Sequence, residues 1–251
     1  MFTETEGIVL KQVKIAGGRR IVLLFSEKYG KISTGTGLSE KGKGKNALAM
    51  RPFTYGRYDL FKKGDFVNIN GGETIESHYG IGEDIDKYLV ASFALEFLDK
   101  ITEEGLPSGG LFHLTKVFLS ELEKRRGRYE VLLIAYMIKA LCHLGYAPSM
   151  DDCIQCGKSV ESFNDSVIYF SIPDGGIICS DHDIDKGNRL IYTVDFGIVN
   201  VLNFMISHSL ESLQNLALNQ DKAKFIRRMI LEYAKYHMDF GDLKSESFII
   251  E

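Results

Sequence analysis

The hydrophobic pattern changes its period at Asp84, and no other feature constrains the fold as much. Before that point short β-rich runs are broken by glycine, at residues 7–15, 20–25, 31–36, 53–61 and 66–70, with 73–77 following beyond Gly71 and Gly72. No helical period occurs in this stretch. About five strands in under 80 residues leave too little chain for two stacked sheets. A small closed barrel is therefore expected, and closure removes the edges along which strands aggregate. From Asp84, read as an N-cap, Ile85, Leu89, Ser92, Phe93 and Phe97 recur at helical spacing. Further helices are predicted over 111–124 and 129–144, the second apolar nearly all round and hence at the centre of a core. Two later stripes, Val199, Leu202, Ile206, Leu210 and Leu213, then Phe225, Met229, Tyr233, Tyr236 and Phe240, predict two more helices. The expected class is α+β and multidomain: a β-barrel over 1–80, then a helical domain over 81–251 that carries an insertion of different character at about 149–188.

Within that insertion, Cys153-Ile-Gln-Cys156-Gly157 and Cys179-Ser-Asp-His182 form two ligand pairs, each with two residues between its members. That spacing lets a tight turn point both side chains at one ion, and Gly157 supplies the conformational freedom needed just after the second thiolate. A strand over 166–172, a turn at 173–176 and a returning strand at Ile177 and Ile178 would bring the second pair to the first. Four protein ligands make a structural Zn²⁺ site, because a catalytic one keeps a position open for water. The spacing leaves the fourth ligand open, with Asp181 and His143 as competitors of His182. Three unrelated buried thiols are the plainer alternative. Four cysteines are too few for a disulfide framework, which points to a reducing cytoplasm and makes the 164–166 glycosylation sequon a chance match.

The formal charge of -4 hides an asymmetry. Between Val9 and Lys63 stand 13 basic residues and 3 acidic ones, a net +10 that leaves -14 on the rest of the chain. The cations, among them Lys11, Lys14, Arg19, Arg20, Lys41, Lys43, Lys45, Arg51 and Arg57, suit a polyanion such as nucleic acid. Gly37, Gly42 and Lys43 nearly spell a phosphate-binding loop, but Gly44 stands where Ser or Thr must contact Mg²⁺, and no strand and helix flank the segment as the motif requires. Lys41, Lys43 and Lys45, alternating in a glycine-rich loop, fit a phosphate backbone better. Tyr29 and Tyr55 are candidate base-stacking residues; most of the other aromatics are expected inside the barrel. The acidic N-terminus lacks the features of a secretory signal, and the longest apolar run, 131–138, stops far short of the roughly 20 residues of a membrane span.

The basic glycine-containing loop leading into Arg51-Pro52-Phe53, the short β-rich module, the helical continuation, and Cys153-x-x-Cys156-Gly157 with Gly175-Gly176 before Cys179 together resemble the bacterial recombination mediators of the RecO family. The resemblance spans nearly the whole chain. It implies an OB-fold barrel, a helical domain with a zinc-binding insertion held by Cys153, Cys156, Cys179 and His182, and a DNA face that includes Lys41, Lys43, Lys45 and Arg51. It also implies a non-enzymatic cytoplasmic protein that binds single- and double-stranded DNA, anneals complementary strands and helps RecA load on strands coated by single-strand-binding protein. RecR and the C-terminal tail of the coating protein are the implied protein partners; a membrane is not. Two departures are histidine where the family commonly has its last cysteine, and lysine where its loops carry arginine. The residues themselves also admit a zinc-containing protein adaptor or a nucleic-acid-processing hydrolase, although no His-Glu-x-x-His, nucleophile elbow or acid pair supports the latter.

Overall fold

The computed structural model describes residues 2–15, 19–38, 45–64, 66–163, 167–185 and 187–248, with the backbone alone at Lys45. Lys41, Lys43, the side chain of Lys45 and the 164–166 sequon thus lie outside the described residues. Five strands, β1 (Phe2–Lys14), β2 (Arg20–Ser26), β3 (Gly30–Thr36), β4 (Tyr55–Lys63) and β5 (Phe66–Glu76), close into a barrel in the order β1-β2-β3-β5-β4. Neighbours are antiparallel except β3 and β5, which meet in parallel where Gly35 faces Asn68. This is the expected OB-fold barrel.

Three details differ from the sequence expectation. β1 begins at Phe2, because Thr3, Glu4, Thr5 and Glu6 pair with β4 from Leu60 back to Arg57. The inward Thr5 is satisfied by the Ser26 hydroxyl at 2.8 Å, so a polar-looking segment completes the barrel. β5 runs straight through Gly71 and Gly72, which face Asp59 and Tyr58. A side chain at Gly72 would meet Met50 Cε at 2.9 Å, so the glycine marks a close approach and not a break. A helix, α1 (Lys45–Ala49), stands where none was expected, since five residues are too few to display a period. It brings Ala49 and Met50 into the barrel core with Val9, Val22, Leu24, Tyr58, Leu60 and Ile69, and the Tyr58 hydroxyl donates to the Ala49 carbonyl at 2.7 Å.

The chain forms two compact units, 1–124 with 243–249 and 125–242. The first holds the barrel together with α2 (Tyr79–Gly82), α3 (Ile85–Ile101) and α4 (Gly109–Lys124). Asp84 caps α3 as expected, its carboxylate accepting the amides of Asp86 at 3.0 Å and Lys87 at 3.2 Å. Phe25 and Tyr55 on the barrel meet Phe112 on α4 with ring centroids 5.9 and 6.2 Å apart. In the same unit, Glu96 accepts the amides of Lys244 and Ser245 at 2.9 and 2.8 Å and the Ser245 hydroxyl at 2.6 Å. Burial opposes ionisation of Glu96, but these donors hold its carboxyl below the usual range.

In the second unit, α5 (Tyr129–His143) is buried throughout 131–138, as its apolar run predicts, and α6 (Phe196–Ser207) and α7 (Gln220–Met238) pack on it. The two late stripes overrun their helices. Leu210 and Leu213 are buried but lie past the end of α6, and Phe240 lies past α7, while Tyr236 is half exposed. Hydrophobic spacing reports burial and continues after the chain leaves the helix. The insertion supplies a three-stranded sheet, β6 (Ile168–Ser171), β7 (Gly176–Cys179) and β8 (Ile191–Val194), ordered β7-β6-β8. β8 was not expected; its four residues find their partner only in β6. Phe170 and Tyr192 seat this sheet on α7 against Tyr233 and Phe225, with centroids 5.8 and 5.5 Å apart. Among the described residues no helix is long and apolar enough to cross a membrane.

Candidate metal centre and nucleic-acid interface

The two cysteine turns close on each other because β7 pairs with β6 in the register that sets Cys179 opposite Ile168. In the first turn the Gly157 amide donates to the Cys153 carbonyl at 2.8 Å, and the Cys153 amide to the Lys158 carbonyl at 2.8 Å. Gly157 has φ 71°, a left-handed conformation that side chains resist. The Ile154 amide donates to the Ile177 carbonyl at 2.9 Å and ties this turn to β7. As a result one donor atom from each of Cys153, Cys156, Cys179 and His182 falls within 4.8 Å of all the others. Asp181 and His143 do not belong to the cluster; Asp181 instead pairs with Lys158 at 3.1 Å.

Three observations fit these residues to a metal. The Sγ atoms of Cys156 and Cys179 are 3.8 Å apart, close to the edge of a tetrahedron with Zn–S bonds of about 2.3 Å. His182 Nε2 is buried and has no hydrogen-bond partner among the described residues, an arrangement that a coordinate bond resolves. The thiols also oppose one another. Burial resists ionisation of Cys153, yet amides from Cys179, Cys156 and Gln155 draw its pKa down to about 6, whereas burial first and the neighbouring sulfur atoms next push Cys179 up to about 11. The first negative charge in such a cluster raises the cost of the next, and a divalent cation removes that cost. The cluster is compatible with a structural metal site.

The barrel distributes its cations unevenly. Lys11 pairs with Asp99 at 2.6 Å, Lys31 pairs with the same carboxylate at 3.2 Å and donates to the Thr102 carbonyl at 2.6 Å, and Arg57 lies 3.6 Å from Glu4 and 4.0 Å from Glu6. Burial raises the Asp99 pKa, but the two ammonium groups outweigh it and hold the carboxyl below its ordinary value. These cations are thus largely committed to the protein's own carboxylates. Lys14, Arg19 and Arg51 are exposed and make no ion pair with a described residue. Arg19 and Arg20 line a cleft of about 670 Å³ with Ile21, Gly35, Phe66 and Asn68, and Lys14 sits beside it, paired in register with Arg20. The cleft lies over β2 and β3, the face that OB-fold barrels use for oligonucleotides.

The structure brings Lys14, Arg19 and Arg20 together and leaves Arg51 and Arg57 outside the cleft lining; of the three, Lys14 and Arg19 are exposed, whereas Arg20 is buried and donates to the Gln12 side-chain oxygen at 3.3 Å. Of the two candidate stacking residues, Tyr55 is 5% exposed, hydrogen-bonded to Glu6 and covered by Lys116, whose Nζ stands 4.0 Å above the ring. It is unavailable to a base. Tyr29 is partly exposed, and its hydroxyl is engaged with Thr3 at 2.6 Å. Sequence reasoning missed Phe66, 79% exposed in the cleft, because a strand-initial phenylalanine reads as core.

Comparison with known proteins adds a family to this geometry. The family model described as Recombination protein O N terminal matches residues 1–78, and Recombination protein O C terminal matches 82–247. The chain is 29% identical to the DNA repair protein RecO of Thermoanaerobacter sp. (strain X514), over 98% of the chain and 96% of that protein. It is 27% identical to the DNA repair protein RecO of Alkaliphilus metalliredigens, over 95% of each. The protein of the same name from Listeria monocytogenes serovar 1/2a is 29% identical over 98% of the chain and 93% of its own length.

Proposed function

The chain belongs to the Recombination protein O family, whose role is in DNA repair and recombination, and from that premise we propose that it is a non-enzymatic, DNA-binding recombination mediator. It binds single- and double-stranded DNA, anneals complementary strands and assists RecA loading on strands coated by single-strand-binding protein. The observation that carries this reading is the open cleft on the barrel, where the exposed cations Lys14 and Arg19 stand near exposed Phe66.

The chemistry is electrostatic. Cations that neutralise phosphates release condensed counterions and lower the repulsion between two strands, so pairing accelerates and no covalent bond changes. Cys153, Cys156, Cys179 and His182 would hold Zn²⁺, which would crosslink the insertion and, with four protein ligands, would take a structural and not a catalytic part. Lys41, Lys43, Lys45 and Arg51 extend the DNA contacts, and Lys11 and Arg57 add to the field despite their carboxylate partners. RecR and the C-terminal tail of single-strand-binding protein are the protein partners, and the cytoplasm, at the nucleoid, is the site of action.

A strand-annealing assay with and without single-strand-binding protein tests this. The protein should accelerate annealing in both conditions, and single-strand affinity should fall with salt at a log-log slope of about -0.7 per phosphate contacted. The paired charge reversal Lys14→Glu with Arg19→Glu should flatten that slope by roughly 1.4. Annealing no faster than the spontaneous rate would remove the proposal.

A further inference from the structure

We infer that the open half of the barrel's outer face takes unpaired bases of a single DNA strand, with Phe66 as the stacking platform; this rests on the DNA-binding reading and deepens it. Strand alternation places Ile21, Leu23 and Phe25 on the outer face of β2, opposite to the inward Val22 and Leu24. The helices of the same unit and the connection between α3 and α4 cover one half of that face: Phe112 meets Phe25, Asp99 takes Lys11, and the Glu104 carboxylate in that connection accepts the Ser33 amide at 3.1 Å. Among the described residues the other half is uncovered. There Val13 faces Ile21, Ile21 faces Gly35, and Gly35 faces Asn68, one row across four strands. Val13 and Ile21 are 52% and 40% exposed.

The row forms a saddle because its middle position has no side chain. A Cβ on Gly35 would stand 2.6 Å from Asn68 Oδ1, so the backbone itself is the floor of the cleft. Phe66, two residues before Asn68 and hence on the same face, rises from this floor with 79% of its surface in solvent. A cluster of exposed apolar side chains beside a cleft marks a binding surface. A cation lies at the edge of the row, since exposed Arg19 stands two residues before Ile21; buried Arg20, held by Gln12 at 3.3 Å, also lines the cleft, and its centre is largely apolar. This arrangement fits a chain that carries phosphates outside and free π-faces inside. A duplex offers the phosphates but keeps its bases stacked on each other, so the ring distinguishes the two forms.

The chain has no tryptophan, so Phe66→Trp introduces a sole indole at the site, which can be excited selectively beyond the tyrosine absorption. The full-length protein would be titrated with an oligothymidylate, an abasic oligonucleotide of the same phosphate number, and a duplex. The wild type should bind the thymidylate on the order of tenfold tighter than the abasic strand, the size of one stacked base. Phe66→Ala and Phe66→Leu should both erase that difference while leaving abasic binding, duplex binding and the salt slope unchanged. Emission of F66W should be quenched by the thymidylate and not by the abasic strand. Phe66→Ala binding both single strands as the wild type does, or F66W emission unmoved by saturating thymidylate, would overturn the stacking role. A wild type that binds none of the three nucleic acids would overturn the DNA-binding reading itself.

Discussion

The barrel and the cysteine insertion are both small β structures, yet they are held together by different physics. The barrel closes its hydrogen-bond ladder on itself and fills the interior with Val9, Val22, Leu24, Met50, Tyr58, Leu60 and Ile69. The insertion has three strands of four residues each; Phe170 and Tyr192 pack its sheet on α7, and Cys153, Tyr169, Ile178 and Cys179 form a further buried cluster, two of them metal-ligand candidates. Apolar burial at about 25 cal/mol per Å² within its own interior sustains the first, whereas the second leans its short sheet on α7 and gathers its turns around four candidate metal ligands. The lesson is that two small β structures can close in different ways, one on a core of its own and the other on a neighbouring helix and a cluster compatible with a structural metal.

The largest effect that would break this contrast is on the metal. Chelation, or Cys153→Ser, should abolish about one bound zinc per chain and raise hydrogen exchange in β6 and β7 by several orders of magnitude, given apparent zinc energies of about 10–16 kcal/mol in isolated fingers. Exchange in β1 to β5 should not change; loss of protection there would contradict the division. Next in size, Phe25→Ala removes a ring that is 0% exposed and should cost about 3–5 kcal/mol in urea unfolding with zinc content intact. A variant that also lost its metal would show that the two regions depend on each other.

The smallest effect sharpens the electrostatic side of the comparison. Asp99→Asn leaves Lys31 mostly buried without its counter-charge and should cost about 1–3 kcal/mol at neutral pH. Because the folded carboxyl titrates below its ordinary 3.8, its contribution is present above that pH and disappears as pH falls through the lower folded value. The variant should therefore show a flatter acid limb of stability against pH, and an unchanged limb would assign the shift elsewhere.

Much of this was legible in the residues. The period change at Asp84, the Asp84 cap, α5 and the antiparallel return of Ile177 all follow from local spacing, which the chain carries whatever surrounds it. Less legible was what depends on contact. Glu4 and Glu6 look like a polar tail but belong to β1, because the edge of β4 supplies their backbone partners. β8 exists only through β6, and α1 is stabilised by the barrel it plugs. The fourth candidate ligand could not be chosen among His182, Asp181 and His143 by spacing, since all three are near in sequence to a cysteine; only the folded turns bring His182, and not the other two, to the three thiols.

The sequence by itself determined the fold class, the metal-ligand types and the excess of cations in the first third of the chain, since each is a property of residue order and type. Tertiary structure alone decided which cations remain free. Asp99 and Glu4, distant in sequence from Lys11 and Arg57, lie within 4 Å of them, while Lys14 and Arg19 face solvent at the rim of a cleft floored by glycine. A charge counted along a chain becomes a binding surface only where the fold leaves it unpaired, because Coulomb attraction over a few ångströms is already satisfied elsewhere.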